Sequence, residues 1–295
     1  MKSHGGPELA RRGEHRVIDC EACGHAHLDP LPSEADLARI YGERYYEEDH
    51  PGWLDKDRAE AAFWQLEHDD KLGDWSALLG AKTGTVVDVG CSGGLLLEAA
   101  AAAGWTVLGI EPSSIGVREC RRLGIPVEHS GYADVDLDGT ADVVHAKLVL
   151  EHLSDPAGFV AWARRALRPG GILTLQVPNE FNALQLAAQR ALGLEAWWVA
   201  PPFHVNYFTF ASLERLVAAG GLAPCGRDAT YPTEWFLLAG EDYVSDPALG
   251  ASIHARRMTL ETRLQEAGER RPLHRHLAER GLGRHAIVHA RRTDA

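Results

Sequence analysis

The sequence predicts a doubly wound α/β fold, in which a mostly parallel sheet carries helices on both faces. Two observations predict it. Short β-branched runs alternate with helix-forming segments from residue 84 to residue 226, and a glycine-rich turn, Asp88–Gly94, follows the first of these runs. Strands and helices that alternate at these lengths pair in parallel through right-handed crossovers.

The predicted strands share a run of β-branched or other apolar residues that is bounded by glycine, proline or polar residues. In chain order they are Thr85–Val89, Thr106–Ile110, Ile125–Val127, Ala141–His145, Ile172–Val177 and, as a late addition to the sheet, Ala286–Ala290. Helix-forming segments lie between or after them at residues 95–103, 114–123, 156–167 and 212–220.

Residues at the ends of these segments support the assignment. Ser113 and Ser114 can cap the second helix, and Asp155 can cap the helix that begins with Pro156. The Pro-Gly-Gly sequence within Arg168–Gly171 stops that helix before the fifth strand.

Changes of pattern divide the chain into three parts. Residues 1–55 form an N-terminal segment, residues 56–226 contain a helical lead-in and the alternating core, and residues 227–295 add helices and the last strand. In the third part, Asp242–Arg280 is helical in composition and interrupts what would otherwise be a β-hairpin. We interpret it as a cover over a binding site or as a contact between subunits, which leaves a homodimer as one option.

The charge distribution argues against a nucleic-acid partner. The chain has 30 Lys and Arg against 42 Asp and Glu, a formal net charge of −12, which repels a phosphate backbone. The charge is uneven, because residues 251–295 hold ten arginines against five acids. These arginines alternate with glutamates at helical spacing, as on a solvated helix face.

Cysteine usage and the first residues predict a protein of the reducing cytoplasm. Five cysteines in a chain of 295 residues are too few for a disulfide framework. Residues 1–16 are polar and charged and contain no apolar signal core. No stretch approaches the roughly 20 apolar residues that span a bilayer, so we expect no membrane partner.

The Asp88–Gly94 turn lies where open α/β sheets bind ligands, at the carboxyl end of the first strand. Its small residues let the backbone approach a ligand, and the following helix directs free N–H groups at an anionic part of that ligand. A dinucleotide fingerprint, G-x-G-x-x-G, would need glycine at Ser92 and Leu95. This mismatch disfavours a nicotinamide-dependent oxidoreductase, which remains the alternative enzyme class.

The turn instead has the pattern D-x-G-x-S-x-G, which resembles the first motif of the class I S-adenosylmethionine-dependent methyltransferases. Further blocks within residues 20–225 resemble that superfamily in order and spacing: Glu111 at the end of the second strand, Ala141–Val144 followed by Val149–Leu153, and Leu167–Gly171. The resemblance implies a Rossmann-like, seven-stranded sheet whose last strand is antiparallel.

The resemblance also implies roles for individual residues, with S-adenosylmethionine as cofactor and S-adenosylhomocysteine as product. The turn would hold the methionine carboxylate, and Glu111 would hold the ribose hydroxyls. Lys147 departs from the superfamily pattern and is a candidate substrate contact or a solvent-facing side chain. The predicted cofactor-binding residues are Asp88, Gly90, Cys91, Ser92, Gly94, Glu111, Pro112, Tyr132 and Ala133 beside the adenine, Ala146 beside the methionine moiety, and Tyr46 from a Tyr45-Tyr46 pair that lies over the cofactor in relatives.

A C-x-x-C knuckle, Cys20 to Cys23, together with Leu28–Pro32, resembles the start of a methyltransferase subgroup with a zinc-ribbon-like module. A structural zinc site needs four ligands, normally from two knuckles, and this chain has one. We therefore expect a decayed knuckle without bound metal, and Cys20 and Cys23 are the ligands of the alternative in which zinc binds. The side chains available to complete such a site are His4, His15, His25 and His27.

An acceptor that attacks a sulfonium methyl group in line needs a base where it still carries a proton, and two histidines are candidates for this role. If the acceptor is already nucleophilic, neither histidine need act as a base. His204 lies in Pro201–Thr209, which resembles the block that supplies acceptor-site histidines in sugar C-methyltransferases, and we predict it as the general base. His152 follows the fourth strand and would assist by hydrogen bonding or acid/base work. A purely structural hydrogen bond is the alternative for His152.

The expected function is methyl transfer to a small-molecule acceptor of sugar, nucleotide-sugar or natural-product type. Aromatic residues are dense in Glu195–Val199 and Tyr231–Phe236, which favours an apolar acceptor pocket. The C-terminal arginines leave an anionic acceptor as one option. A regulatory protein that binds the cofactor without turnover is a second alternative.

Overall fold

The computed structural model describes residues 4–33, 37 and 52–294. The chain forms two compact units, each assembled from separate stretches of sequence. The first unit comprises Met1–Pro32, Gln176–Arg215 and Gly226–Val288, and the second comprises Ser33–Leu175, Leu216–Cys225 and His289–Ala295. The division at residues 55 and 226 that the sequence predicts stays a prediction.

Three strands near the N-terminus were not predicted from the sequence: β1 (Glu8–Arg12), β2 (His15–Cys20) and β3 (His25–Asp29). They pair antiparallel in chain order. Val17 and Ile18 of β2 and Leu28 of β3 are buried, so the hairpin contributes to a core. The predicted helical lead-in is present as α1 (Trp53–Ala59) and α2 (Ala61–Leu79).

The first two core strands, β4 (Thr85–Val89) and β5 (Thr106–Ile110), have the predicted bounds. The intervening α3 (Leu95–Ala102) and the following α4 (Ser114–Arg122) are within a residue of prediction. As expected, Ser113 caps α4, because its hydroxyl accepts a hydrogen bond from the Ile115 amide at 3.2 Å. The third strand, β6 (Val127–Glu128), begins two residues later than predicted.

The next elements are β7 (Ala141–Lys147), α5 (Pro156–Ala166) and β8 (Leu167–Pro178). Asp155 caps α5 by accepting a hydrogen bond from the Gly158 amide at 2.9 Å, as predicted. Arg168–Gly171, predicted only as a helix stop, lies within β8 instead. The reason is pairing, because the Gly170 amide donates to the Arg292 carbonyl and the Arg292 amide donates to the Gly171 carbonyl.

The remaining elements fill the C-terminal half of the chain. The segment at 242–280 is helical as predicted, and the last strand is one residue longer at each end than expected. The bounds are α6 (Ala183–Leu192), β9 (Asn206–Tyr207), α7 (Phe210–Ala219), β10 (Ala223–Ala229), α8 (Glu234–Leu238), α9 (Pro247–Glu266), α10 (Arg270–Glu279) and β11 (His285–Arg291).

The described strands form two sheets. The larger sheet has the order β10-β11-β8-β7-β4-β5-β6 and is mostly parallel with one antiparallel strand, which confirms the predicted fold class. Register places Val89 of β4 beside Ile110 of β5 and Ala146 of β7, so the carboxyl ends of these three strands lie at one edge. The smaller sheet has the order β1-β2-β3-β9.

Aliphatic and tryptophan side chains form the core of the second unit. Trp75 of α2 is fully buried, and its indole N–H donates to the Thr174 hydroxyl of β8 at 2.9 Å. Leu97 of α3, Val86 of β4 and Val143 of β7 pack in the same cluster. None of the helices in the described ranges is long and apolar enough to cross a bilayer.

Candidate active site

The Gly90–Gly94 turn between β4 and α3 has a backbone conformation that selects glycine. Gly90 and Gly94 have φ angles of 70° and 78°, in the left-handed region, and Ser92 joins them at 51°. A Cβ atom at Gly90 would lie only 2.7 Å from Cγ2 of Val149. The predicted glycines are therefore required both by φ and by close packing.

The turn presents polar groups that have no hydrogen-bond partner within residues 4–33 and 52–294. Gly94 precedes α3, whose first amides receive no side-chain cap. The Ser92 hydroxyl is buried and has no hydrogen-bond partner among the described residues. Free amides at a helix N-terminus bind anions, and an unpaired buried hydroxyl is costly, so both groups fit a polar ligand such as an amino-acid carboxylate.

Glu111 connects this turn to the end of β5. It is buried, and its two carboxylate oxygens accept hydrogen bonds from the amides of Ser92 and Ser113 at 2.9 and 2.8 Å. Burial raises the pKa of Glu111 to about 6 against the opposing effect of these amides. Each carboxylate oxygen has a second lone pair, so the side chain can also accept hydrogen bonds from a ligand.

Asp88 lies beneath the turn rather than at its surface. It stands beside His145 on the neighbouring strand, and Nδ1 of His145 is 2.7 Å from an oxygen of the Asp88 carboxylate. Both side chains are buried, and burial lowers the pKa of His145, so a neutral imidazole donates to Asp88. This bond fixes the ends of β4 and β7 that support the turn.

The Cys91 side chain points into the core of the second unit. Its Sγ lies 3.8 Å from Sγ of Cys120, and Cys120 in turn contacts the Ser92 carbonyl at 3.3 Å. The contact with Cys120 and burial raise the pKa of the Cys91 thiol. At this predicted cofactor position, the backbone is therefore the part available to a ligand.

The other predicted cofactor-binding residues differ in packing and in exposure to solvent. Tyr132 begins a short 3-10 turn and packs edge-on against Phe159, with ring centroids 4.9 Å apart. Ala133 and Pro112 are exposed, and Ala146 is fully buried on β7 opposite Val89. Tyr45 and Tyr46 lie outside the described residues.

Lys147 contacts protein groups within the second unit. Its ammonium lies 3.2 Å from a carboxylate oxygen of the buried Glu67 and 4.4 Å from the ring centroid of Trp64. These contacts combine an ion pair with a cation–π interaction. Lys147 is thus held by protein groups and does not simply face solvent, and a substrate contact stays a prediction.

The two predicted catalytic histidines belong to different units. His152 lies in the second unit, and its Nε2 is 3.9 Å from the carboxylate of the buried Glu151. His204 lies in the first unit, where its amide donates to the Ala200 carbonyl and its own carbonyl accepts from the Tyr207 hydroxyl at 2.9 Å. The backbone around His204 is thus fixed by two hydrogen bonds.

Aromatic side chains of the first unit pack against one another, including Trp197 and Trp198 of the segment at 195–199. The predicted acceptor pocket stays a prediction. The Phe181 ring packs edge-on against Trp198 and Tyr207, with centroid separations of 5.5 and 6.0 Å. Trp198 also contacts Trp197. Phe181 has a φ of 56°, an unusual value for a bulky residue that often accompanies functional sites.

Glu180, two residues after β8, is a candidate that the sequence analysis did not include. It is buried, and one carboxylate oxygen accepts a hydrogen bond from the Gln185 side chain at 2.8 Å. The other oxygen has no hydrogen-bond partner among the residues described. Burial raises the pKa of Glu180 to about 7, although the positive charge of Arg284 lowers it. Its position at a strand's carboxyl end was the available sequence signal.

Cys20 and Cys23, the candidate metal ligands, lie together with two of the predicted histidines, His4 and His27. The ligand atoms of the four side chains are all within 4.8 Å of one another. Burial raises the pKa of Cys20, but hydrogen bonds from the backbone at Gly5 and Cys23 and from both histidines outweigh it and lower this pKa to about 6. The other two predicted histidines, His15 and His25, are outside the cluster.

A comparison with protein families covers the part of the chain that contains the Gly90–Gly94 turn. Residues 63–224 match a methyltransferase-domain family. The ubiquinone biosynthesis O-methyltransferase of Methylobacterium sp. (strain 4-46) is 32% identical over 151 residues, which cover 47% of this chain and 59% of the relative. The enzyme of the same name from Methylococcus capsulatus is 43% identical over 101 residues, 32% of this chain and 43% of the relative. The chain thus spans less than two thirds of the length of these relatives.

One solved structure resembles this chain along nearly its whole length. It is the Burkholderia thailandensis 1,6-didemethyltoxoflavin-N1-methyltransferase with bound 1,6-didemethyltoxoflavin and S-adenosylhomocysteine. The TM-score is 0.53 at 15% sequence identity, and the match covers 98% of this chain and 100% of that chain. At this identity the likeness is one of fold.

Proposed function

The chain belongs to the class I S-adenosylmethionine-dependent methyltransferases, and on that basis we propose that it transfers a methyl group from S-adenosylmethionine to a small-molecule acceptor. The acceptor class is a sugar, a nucleotide-sugar or a natural product. The curated relatives named as O-methyltransferases favour a hydroxyl as the atom that receives the methyl group.

The Gly90–Gly94 turn is the observation that carries this proposal. Its left-handed glycines, the unpaired Ser92 hydroxyl and the uncapped start of α3 together fit the amino-acid end of the cofactor. Glu111 lies at the end of the adjacent strand, where a carboxylate suits the two ribose hydroxyls.

The bound cofactor supplies a sulfonium methyl group that an acceptor atom attacks in line, so that a bond to the acceptor forms while the sulfur–carbon bond breaks. We assign His204 as the base that takes the acceptor's proton, because a neutral imidazole is suited to this near pH 7. His152 would assist by hydrogen bonding. Glu180 is a second candidate base, since burial raises its pKa to about 7 and one of its carboxylate oxygens has no hydrogen-bond partner in the described part of the chain.

Ligand-dependent stabilisation tests the cofactor. A protein that binds S-adenosylhomocysteine in its folded state melts at a higher temperature when this ligand is in excess. We expect a thermal shift with S-adenosylhomocysteine and none with NAD or NADP. Stabilisation by a dinucleotide alone would instead assign the chain to the oxidoreductase class.

A variant of Glu111 and a control variant of Glu128 can be compared in the same assay. Glu111→Ala removes the acceptor that holds the turn and would hold the ribose, and we expect at least tenfold weaker S-adenosylhomocysteine binding. Glu128→Ala removes an exposed glutamate at the end of the neighbouring strand β6 and should leave this affinity unchanged. Equal affinities for both variants would contradict the assignment of Glu111.

The acceptor is tested by S-adenosylhomocysteine release from S-adenosylmethionine in the presence of hydroxylated small molecules. The panel should contain phenols, free sugars and nucleotide-sugars, each with a counterpart whose hydroxyl is already methylated. Turnover with a hydroxylated compound and none with its methylated counterpart is the expected result. Cofactor binding without turnover on any compound would favour the regulatory alternative.

A further inference from the structure

The turn between β2 and β3 brings two thiols to one end of the smaller sheet. Cys20 is the last residue of β2, and Cys23 lies in the turn that follows. Gly24 closes this turn with a φ of 73°, and its amide donates to the Cys20 carbonyl at 2.8 Å. The C-x-x-C sequence therefore forms a tight knuckle of the type that places two sulfurs on one metal.

A backbone arm ahead of β1 brings His4 to the knuckle. The amides of Asp19 and Glu21 donate to the carbonyls of Pro7 and Gly5 at 2.9 and 3.1 Å, so the arm runs beside the end of β2. Gly6 permits this approach, because a Cβ there would lie 1.8 Å from the Asp19 carbonyl oxygen. Backbone pairing alone thus positions His4, and no metal is needed to explain the position.

His27 of β3 is oriented as a metal ligand would be. It is almost fully buried, and its Nδ1 lies 2.7 Å from the Leu28 carbonyl oxygen. An imidazole that donates Nδ1–H to a carbonyl carries its lone pair on Nε2, and metal-bound histidines are usually held in this way. His25 differs, because both of its ring nitrogens lie within hydrogen-bond distance of protein oxygens, those of Cys23 and Asn206.

The three separations from His4 Nδ1 to the other ligand atoms match a tetrahedron around zinc, and all six lie within 4.8 Å. Nδ1 of His4 lies 3.1 Å from Nε2 of His27, and 3.7 and 3.4 Å from the sulfurs of Cys20 and Cys23. Bond lengths of about 2.05 Å to nitrogen and about 2.3 Å to sulfur at tetrahedral angles require about 3.3 Å between two nitrogens and about 3.6 Å between nitrogen and sulfur. The observed separations are within a few tenths of an ångström of these values.

We propose that His4 Nδ1, Cys20 Sγ, Cys23 Sγ and His27 Nε2 bind one Zn²⁺ ion in a closed, four-coordinate site. Two histidines take the place of a second knuckle, which is why the spacing of cysteines alone did not favour a metal. The protein fills all four positions, so the ion has no open position for a substrate and acts structurally. It joins the N-terminal arm to the β2–β3 hairpin.

The metal content of the full-length protein tests this proposal. The protein is purified without chelators or metal-affinity resin, and zinc, iron and cobalt are counted by mass spectrometry. We expect one zinc per chain, and more than about 100-fold weaker zinc binding in Cys23→Ser and His27→Ala, since even loss of an outer-shell partner costs about 10- to 100-fold. Cys225→Ser, at an exposed thiol, and His15→Ala, at a histidine outside the cluster, should keep the zinc.

A second measurement covers ligand variants that fail to fold. Cobalt(II) exchanged into the wild-type protein should give the visible bands of a tetrahedral ion and a thiolate-to-cobalt charge-transfer band. Chelation should lower the melting temperature, and added zinc should restore it. The proposal is wrong if the wild-type protein contains no zinc and gains no stability from it, or if both ligand variants retain zinc. Neither readout involves methyl transfer, so this result is separate from the proposed function.

Discussion

The Gly90–Gly94 turn and the region around His204 differ in what determines their structure. The turn is defined by backbone conformation, with left-handed φ angles and amides that bond to Ile110, Cys91 and Glu111. The His204 region depends more on side chains, because the Tyr207 hydroxyl donates to the His204 carbonyl and the Tyr207 ring packs against Phe181, which also contacts Trp198.

This difference explains how well each region can be predicted from the sequence. A site formed by the backbone requires glycine at fixed positions, because other residues are strained at positive φ. A motif of glycines in the sequence therefore identifies such a site. A side-chain site depends on which residues meet after folding, and many combinations can form it. We expect substitutions in the turn to act on cofactor binding, and substitutions around His204 to act on catalysis.

Gly90→Ala should have the largest effect. The alanine would have to adopt a φ near 70° and place its Cβ 2.7 Å from Val149, so the turn must shift away from the position that a cofactor requires. We expect S-adenosylhomocysteine affinity to fall by about 1000-fold, about 4 kcal/mol, as measured by calorimetric titration.

Gly124→Ala is the control for Gly90→Ala. Gly124 has a φ of 72°, but a Cβ there would meet no atom within 4 Å, so this variant carries the backbone strain alone. It should lose about 1 kcal/mol of stability and keep its affinity for S-adenosylhomocysteine. A similar loss of affinity in both variants would show that strain, and not the shape of the turn, is responsible.

Glu180→Gln should change how stability depends on pH. The pKa of Glu180 is raised to about 7 in the folded protein from an ordinary value near 4.5, so the folded state binds its proton more tightly than the unfolded state. Its favourable contribution is complete below about pH 4.5 and is lost as pH rises to about 7. The variant should therefore gain about 3 kcal/mol at pH 8 relative to pH 4.5, compared with the wild type.

Denaturant unfolding curves at several pH values measure this effect. Glu195→Gln, at an exposed glutamate of the same unit, should follow the wild-type pH profile. Parallel profiles for wild type and Glu180→Gln would mean that Glu180 titrates normally, and would remove it as a candidate base.

His204→Ala should lower kcat by 100-fold or more, about 2.7 kcal/mol, if His204 is the general base. The limb of the pH–rate profile that reports its deprotonation should disappear. His152→Ala should lower kcat by less, because its proposed role is to assist. A loss within about tenfold for His204→Ala, with the pH profile intact, would show that the acceptor needs no base or that Glu180 supplies it.

Parts of the fold were predictable because their signals are local. β4 and β5 have the predicted bounds, since each is a β-branched run that ends where the chain must turn. The smaller sheet has a weaker signal, because β2 contains only the pair Val17-Ile18 between polar residues. Its strand β9, Asn206–Tyr207, has two residues and pairs with β3 near the N-terminus. Pairing between residues so far apart in the sequence leaves no periodic pattern.

The candidate sites were likewise predictable only where a local sequence motif marks them. The glycines and Ser92 of the turn follow a motif, whereas Glu180 becomes notable only when folding buries it beside Gln185. The cluster around Cys20 needs His4, which the arm positions through backbone bonds at Gly5 and Pro7. A search of the sequence for two C-x-x-C motifs does not find a histidine ligand that is positioned by folding.

Lys147→Met should have the smallest effect. It tests whether this charged side chain at the end of β7 contacts the substrate or only stabilises the fold. Methionine keeps the apolar stem but loses the ion pair with Glu67 and the contact with Trp64. Lys71 lies 3.8 Å from the same Glu67 carboxylate, so that buried acid keeps a cationic neighbour. We expect a loss of about 1 kcal/mol in unfolding free energy and an unchanged KM for the acceptor. A raised KM with unaltered stability would instead make Lys147 a substrate contact, because a scaffold interaction acts on the folded state and not on the acceptor.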